Sequence, residues 1–435
     1  YRGAMNEQCL TLAEAMKESG YATFMTGKWH LGMKYRSQWP LQRGFERFYG
    51  TLDGATNFFY PEFPRGITLN NTPVQNHVST TNRRYYTTDA FTDYAIQFLK
   101  KEKNHDDRSF FLYLAYTAPH WPLHAHQEEV LKYIGKYKKG WDQLRQERYQ
   151  RQKEIGLIQS NWNLSDRSHV EWDSLSEEKK EEMDLRMAYY AAMVDRMDQN
   201  IGKLVEALKA MGKYENTLIL FLSDNGACQE GGRLGGKANP FNTDEWERSY
   251  GINLSYGEVW ANASNTPFRK FKHYIHAGGI STPFIAHWPA SIKETGGWYR
   301  DPAYLIDILP TFLELSEGSY PDVRNGNKLK PITGVSLVPA FQNNPLNREL
   351  PLYWEHEDNA AIMKGKWKLV GSNVSIPEGL QSDKWELYDL EKDLTETHDL
   401  SGQYPEIVEA LSHEWSTWAD QVGVYPKPTE RKATQ

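Results

Sequence analysis

The sequence predicts an α/β fold: a mostly parallel central sheet with helices on both faces, and a small C-terminal subdomain of antiparallel strands closed by a helix. Two observations predict the sheet. Continuously apolar strands alternate with helices, and polar residues follow three of those strands directly. The third observation is a change near residue 347, after which short stretches alternate between apolar and polar residues. The expected domains are therefore residues 1–346 and 347–435.

The predicted elements follow in order along the chain. Helices are indicated by apolar residues at three- and four-residue spacing, and strands by uninterrupted apolar runs bounded by polar or glycine-rich stretches. Helices are expected at roughly 11–19, 181–211 and 405–421, and strands of the first domain at roughly 21–26, 110–116, 217–222 and 283–288.

Two segments are too long for ordinary connections between these elements. Residues 128–180 are highly charged, and we expect solvated helices and loops there, although three tryptophans are scattered among them. Residues 230–266 are rich in glycine, asparagine and serine, a composition typical of a binding loop or lid. Substrate specificity is expected to reside in these two segments.

Composition excludes several classes of function. The 435 residues carry a formal net charge of −7, so no overall basic field favours nucleic acid as a partner. No apolar run is long enough to span a bilayer, and no signal peptide is visible. Cys9 and Cys228 lack zinc-type spacing and are expected to pack, or at most to form one disulfide.

Polar residues at the ends of the second and third strands are candidates for chemistry. His120 follows the strand at 110–116, and Asp224 with Asn225 follows the strand at 217–222. Carboxylate and amide oxygens suit a hard cation such as Ca²⁺ or Mg²⁺. The alternatives are a structural histidine and an ordinary Asp-Asn-Gly turn. Because ligands bind at the carboxyl ends of parallel strands, we expect these side chains to converge.

Four cationic candidates complete the set. Lys28 and His30 lie in TGKWHLG after the first strand, and an extended backbone would point both to one side. Lys270 and Lys272 lie in NTPFRKFKH, either as a basic surface edge or as an anion clamp. Lysines, histidines and a hard metal together would bind a tetrahedral oxyanion, which favours cleavage of a sulfate or phosphate ester. No serine, threonine or cysteine stands in an evident activated motif.

These motifs resemble the sulfatase family, the formylglycine-dependent sulfuric ester hydrolases of the alkaline-phosphatase-like superfamily. The similarity runs through GYATFMTGKWHLG, GFERFYGTLDGATNFF, YTAPHWPLHA, LILFLSDNGA and KHYIHAGGISTPFIAHWP to ELYDLEKD. GKWHLG and SDNGA, in this order and at this spacing, are the most specific elements. The chain is most similar to the arylsulfatase-type branch of the family.

The resemblance implies a role for each matching residue. Lys28 and His30 would hold the formylglycine hydrate and a sulfate oxygen. His120 and Lys272 would bind sulfate and stabilise or protonate the leaving oxygen, with Lys272 preferred to Lys270. Asp224 and Asn225 would be calcium ligands, with Mg²⁺ as the less favoured ion.

The resemblance also implies parts that the sequence does not show. The family's Asp-Asp metal pair and its Cys-x-Pro/Ser-x-Arg nucleophile motif would lie before residue 1, and neither Cys9 nor Cys228 fits that motif. We therefore expect an N-terminally truncated sulfatase that is inactive as this fragment. The alternatives are a non-catalytic relic that binds sulfated glycans and a phosphoester or phosphonate hydrolase. Expected partners are sulfated small molecules or glycans, and the expected location is periplasmic or extracellular.

Overall fold

The protein is described here by a computed structural model that covers residues 3–62, 65–74, 84–103, 108–166, 170–243, 253–374 and 384–424. Helix α1 (Leu12–Glu18) begins after Thr11, whose hydroxyl accepts a hydrogen bond from the Glu14 amide. The Glu14 carboxylate in turn accepts one from the Thr11 amide, so two helix-end donors are satisfied reciprocally. The predicted first helix is confirmed to within one residue at each end.

The central sheet contains five strands in the order β4-β3-β2-β1-β5. Strand β1 lies in the middle and pairs in parallel with β2 and β5, whereas β3 and β4 are antiparallel additions at one edge. Helix α2 packs against β1, β2 and β5. The strands are β1 (Ala22–Lys28), β2 (Arg47–Thr51), β3 (Ile67–Leu69), β4 (Thr72–Val74) and β5 (Phe110–Ala115), and α2 is Thr87–Lys103. The α/β fold class is confirmed.

Two predicted strands lie outside this sheet. Strands β6 (Ile219–Leu222) and β7 (Phe284–His287) pair with each other, antiparallel, as a separate two-stranded sheet. Within the described residues β5 pairs with β1 alone, and its Tyr113 is 47% exposed. The continuously apolar run at 110–116 predicts a strand buried on both faces, and this prediction was wrong, because burial requires neighbours and an apolar run does not supply them.

The charged segment 128–180 differs from expectation. It contributes helices α3 (Gln127–Val130) and α4 (Gly140–Glu154), and its tryptophans at 141, 162 and 172 are buried. Trp141 and Trp172 pack edge to face, with ring centroids 4.8 Å apart, and Trp141 contacts Trp260 of helix α6 (Gly257–Ser264). The segment is therefore amphipathic rather than fully solvated: most of its charged residues face water, while indole rings form a core with the long helix α5 (Glu177–Ala210).

The last part of the chain forms the predicted antiparallel sheet and closing helix. Strands β10 to β13 pair in sequence order, and Trp415 of the closing helix is fully buried against them. The boundary at 346/347 stays a prediction, and residues 244–252 and 425–435 lie outside the described residues.

The remaining helices and strands of the described residues are α7 (Ala277–Ile280), α8 (Ile308–Leu315), β8 (Val323–Arg324), β9 (Asn327–Lys328), β10 (Leu352–His356), β11 (Asn359–Lys364), β12 (Trp367–Gly371), β13 (Trp385–Asp389) and α9 (Pro405–Val422). Turns of 3₁₀ helix lie at Arg36–Gln38, Pro40–Arg43, Trp172–Ser174, Leu305–Asp307 and Pro339–Gln342.

Candidate active site

Strand β1 delivers Lys28 to the carboxyl end of the sheet. Lys28 is the last residue of the strand and is half-buried, and Trp29 is buried, with its Nε1 donating to the carbonyls of Gly32 and Gln38 at 3.1 and 2.9 Å. His30 is exposed and has a φ of 53°, so the extended alternation predicted for Lys28 and His30 ends at the strand terminus. One face of the His30 ring lies close to Gly54, where an added Cβ would be 2.6 Å from Cε1.

Strand β5 leads to His120, whose ring is held at both nitrogens. The His120 Nδ1 lies 2.7 Å from the carbonyl oxygen of Trp121, which can only accept, so this nitrogen carries the proton. In the neutral ring Nε2 then accepts, and Lys272 Nζ lies 3.1 Å from it. The carbonyl thereby fixes the tautomer that presents a lone pair to Lys272.

The loop after β6 carries Asp224 and Asn225. Asp224 is exposed at the turn, and the Ser223 hydroxyl donates to the Asn225 carbonyl at 2.9 Å. The Gly226 amide donates to the Gly279 carbonyl at 2.9 Å, and an added Cβ on Gly226 would stand 1.8 Å from the Gly278 oxygen. Glycine is therefore required here so that this loop can approach the loop that carries Lys272.

The loop 265–279 places Lys272 over the same region. The Lys272 amide donates to the Ala227 carbonyl at 3.1 Å, and Asn265 accepts from the Ala227 amide at 3.0 Å while donating to the Lys270 carbonyl at 3.1 Å. The Lys270 ammonium lies over the ring of Tyr274, 4.6 Å from its centroid. The two lysines thus diverge, and Lys272 is the one that faces His120.

The C-terminal sheet holds this loop from the other side. Lys368 on β12 donates to the Ile275 carbonyl at 2.8 Å and forms a buried ion pair with Glu396. The other carboxylate oxygen of Glu396 accepts from the Ala277 amide at 2.8 Å. Sequence reasoning missed this support, because the contacts join segments more than 90 residues apart.

Electrostatic coupling shows that the gathered residues share one environment. Burial, together with the positive charges of Lys272 and Lys28, lowers the pKa of His120 to about 4. Burial also lowers the pKa of Lys28, with the charge of Asp224 opposing this shift and that of Lys272 adding to it. The pKa of His30 is lowered by partial burial and by Lys28. Cations crowded against one another in this way favour an anion between them.

Two further residues reach the site and were not predicted. Asp53 lies two residues after the end of β2, and its charge raises the pKa of both Lys28 and His30. Its position at the carboxyl end of a parallel strand was a signal that could have found it. Cys228 is near Lys28 and Lys272; burial raises the pKa of its thiol. Both Cys9 and Cys228 are free, so the disulfide considered from the sequence does not form.

The arrangement brings Lys28, His30, His120 and Lys272 together beyond the carboxyl end of β1, with the charge of Asp224 nearby, whereas Lys270 turns away. A family model described as Sulfatase matches residues 5–319, more than half of the chain. The chain belongs to the sulfatase family. A second family model, described as N-sulphoglucosamine sulphohydrolase, C-terminal, matches residues 268–421. The resemblance seen in the motifs is confirmed, and this sulfatase is a sulfuric ester hydrolase by family.

Individual relatives agree with the family. The chain is 35% identical to an uncharacterized sulfatase of Schizosaccharomyces pombe over 99% of this chain and 80% of the relative. It is 32% identical to an arylsulfatase of Klebsiella aerogenes over 78% of this chain and 74% of the relative. The crystal structure of Ps i-CgsB in complex with k-i-k-neocarrahexaose matches with a TM-score of 0.64 at 25% identity, over 94% of this sulfatase and 73% of that chain.

Proposed function

We propose that this protein binds and cleaves sulfate esters of aryl or carbohydrate compounds, with Lys28, His30, His120 and Lys272 as its catalytic and sulfate-binding side chains. The observation that carries the proposal is the contact of 3.1 Å between Lys272 Nζ and His120 Nε2. It joins the segment after β5 to the loop after helix α6, at a point where further positive charge comes from Lys28. A sulfate group placed there would receive hydrogen bonds from charged donors, which are the strong ones.

The two lysines have the sulfate-holding role in this proposal. Each ammonium offers three donors and a full charge, and the sulfate oxygens gain negative charge as the ester bond breaks. Both groups are already crowded with like charge, so binding an anion relieves repulsion in the free protein. His30, on the rim beside Lys28, would contribute a further hydrogen bond to the bound group.

His120 has the proton-transfer role. With a pKa of about 4 its ring is neutral at pH 7 in the free site, so it cannot donate a proton from Nε2 there. A bound sulfate would offset the charges of Lys272 and Lys28 and raise the pKa of His120. Nε2 of His120, once protonated, then gives its proton to the leaving oxygen, while Lys272 keeps its charge on the sulfate group.

Asp224 and Asn225 fit part of a calcium site. Both provide hard oxygen donors, and Asp224 is exposed at the turn after β6, but Ca²⁺ takes about six to eight oxygens, so other groups must complete the set. A bound Ca²⁺ would supply positive charge to the sulfate oxygens. Mg²⁺ is the alternative ion.

We further propose that cleavage requires the formylglycine that the resemblance implies, so that the 435-residue chain without it binds sulfate esters and does not hydrolyse them. Neither Cys9 nor Cys228 stands in a Cys-x-Pro/Ser-x-Arg sequence from which the formylglycine implied by the resemblance could be made. Turnover of 4-nitrophenyl sulfate by the 435-residue chain would overturn this. Calorimetry should nevertheless detect 4-nitrophenyl sulfate binding, weakened in Lys272→Ala, and absence of binding in the unaltered chain would overturn the assigned site. Stronger binding of 4-nitrophenyl phosphate would favour a phosphoester hydrolase.

The substrate and location remain proposals of the same kind. The match to a complex with neocarrahexaose favours a sulfated glycan as the substrate class, and a periplasmic or extracellular location would bring the protein to such glycans. Within the described residues, no helix has the length and apolar character needed to cross a bilayer.

A further inference from the structure

A second cluster of ionisable side chains lies next to Lys272 and has no role in the function proposed above. It consists of His273, His356, Glu357 and Glu230, which we call the imidazole cluster. His273 follows Lys272, His356 is the last residue of β10, Glu357 stands in the turn before β11, and Glu230 lies in the loop after β6. Three separate segments therefore bring two imidazoles and two carboxylates together.

The distances within the cluster are those of potential metal ligands. One ligand atom each from His273, His356 and Glu357 lies within 4.8 Å of the others. The Glu357 carboxylate is 2.7 Å from His273 Nδ1 and 3.9 Å from His356 Nε2. A tetrahedral ion with bonds of about 2.0–2.1 Å places neighbouring ligand atoms roughly 3.3 Å apart, between these two values. Small rotations of these side chains would therefore be enough to bring the three ligand atoms to the spacing that a tetrahedral ion requires.

The two histidines are already positioned with respect to each other. Asn359 is buried, and its side-chain amide donates to the backbone carbonyls of both His273 and His356 at 3.0 Å. The two rings stack with centroids 5.6 Å apart and an interplanar angle of 29°. A single asparagine thus fixes the spacing of the two segments that carry the imidazoles, which lowers the cost of bringing both to one ion.

Glu230 supplies the support that metal-bound histidines usually have. It lies 3.8 Å from His273 Nε2, the nitrogen on the far side of the ring from Glu357. If Nδ1 binds the ion, its proton moves to Nε2 and is then directed at the Glu230 carboxylate, so the ring stays neutral. Such an outward carboxylate orients the ring and raises its basicity.

We propose that His273, His356 and Glu357 form a binding site for a divalent transition-metal ion of the Zn²⁺ class, with Glu230 orienting His273. Imidazole nitrogens select such ions over Ca²⁺ or Mg²⁺, so this site is chemically different from the oxygen ligands Asp224 and Asn225. Lys272 next to His273 opposes a cation, but the carboxylates of Glu357 and Glu230, with Glu355 on β10, outweigh its single charge. Three protein ligands leave the fourth position open.

The test is a calorimetric titration of the protein with Zn²⁺. Excess Ca²⁺ is present so that sites made of oxygen ligands are already occupied. A parallel titration with Co²⁺ is followed by visible absorption. We expect one high-affinity ion per chain and a nitrogen-ligand Co²⁺ spectrum. His356→Ala and Glu357→Gln should each weaken this binding at least tenfold. His273→Gly is a suitable third variant because the φ of 81° at this position is accessible to glycine.

The control is His413→Ala, which removes an exposed histidine on helix α9 far along the chain from the cluster. It should bind Zn²⁺ as the unaltered protein does. His120→Ala should also leave this binding unchanged, and sulfate binding by the His356 and Glu357 variants verifies that they are folded. Unchanged Zn²⁺ affinity in the His356 and Glu357 variants, or its loss in His120→Ala, would overturn the proposal.

Discussion

Lys272 Nζ lies 3.1 Å from His120 Nε2, although the two residues are 152 positions apart in the sequence. The contact forms where the segment that follows strand β5 meets the loop that follows helix α6. Replacing Lys272 with alanine should weaken binding of inorganic sulfate roughly tenfold or more, since one charged donor is lost. It should also raise the pKa of His120, measured by NMR titration, because a neighbouring positive charge is removed.

Lys270→Ala is the matched control for that substitution. The Lys270 ammonium lies over Tyr274 rather than against His120. In Lys270→Ala the sulfate affinity should therefore stay within about twofold of that of the unaltered protein. The pKa of His120 should stay within a few tenths of a unit of its unaltered value. Equal effects of the two alanine variants would contradict the assignment of Lys272.

The buried pair Lys368–Glu396 should be important for stability. Lys368 is 3% and Glu396 0% exposed at the side chain, so Glu396→Gln leaves a buried ammonium without its charged partner. We expect a loss of about 3–5 kcal/mol in the free energy of unfolding, measured by denaturant titration. The exposed pair Lys364–Glu414 provides the comparison, and Glu414→Gln should cost less than about 1 kcal/mol.

Asn265 should couple the stability of two site loops. It accepts from the Ala227 amide and donates to the Lys270 carbonyl, so Asn265→Ala leaves both groups without their partner and should cost about 1–3 kcal/mol. Asn265→Asp keeps the acceptor and loses the donor, and its cost should be smaller. Sulfate affinity should fall in the same order, and an Asp variant as damaged as the Ala variant would show that the donor to Lys270 matters more.

Gly27 should be essential for the pairing of β1 with β5. Its φ is 109°, and an added Cβ would stand 1.9 Å from the Ala115 carbonyl oxygen, so Gly27→Ala must shift the backbone that carries Lys28. We expect a loss on the order of 3 kcal/mol or more in thermal or denaturant unfolding. Gly202→Ala, in helix α5 with open space around it, should instead raise stability by up to about 1 kcal/mol.

Buried His124 should make the protein sensitive to acid. Burial lowers its pKa to about 3, below the value of about 6.5 in the unfolded chain, so the unfolded state binds the proton first. The stability that depends on the neutral ring is present above pH 6.5 and is lost as the pH falls towards 3. Between pH 7 and 4 the resulting loss in the free energy of unfolding is on the order of 3 kcal/mol. In His124→Phe the difference in unfolding free energy between these pH values should shrink, and an unchanged difference would argue against a neutral His124.

The sequence by itself predicted several of the elements, among them α1, β1 and α5, and it predicts which residues carry the chemistry. Apolar runs and helical spacing predicted the central residues of β1, β5 and α5, because the backbone conformation that such a pattern favours depends on residues near one another in the chain. Motifs such as GKWHLG and SDNGA made Lys28 and Asp224 candidates without any contact information. Two features of strand pairing could not be predicted. Within the described residues β5 pairs with β1 alone, and β6 pairs with β7 in a separate sheet. Strand partners are set by long-range packing, which the local pattern does not contain.

The tertiary structure decided which residues act on one another. It placed Lys272 rather than Lys270 against His120, brought Asp53 to the cationic site, and used Glu396 of the C-terminal region to hold the loop that carries Lys272. It also gathered His273, His356 and Glu230 into one cluster. Each of these relationships joins segments far apart in sequence. Their distances and pKa shifts depend on burial and on opposing charges, which exist only once the chain has folded.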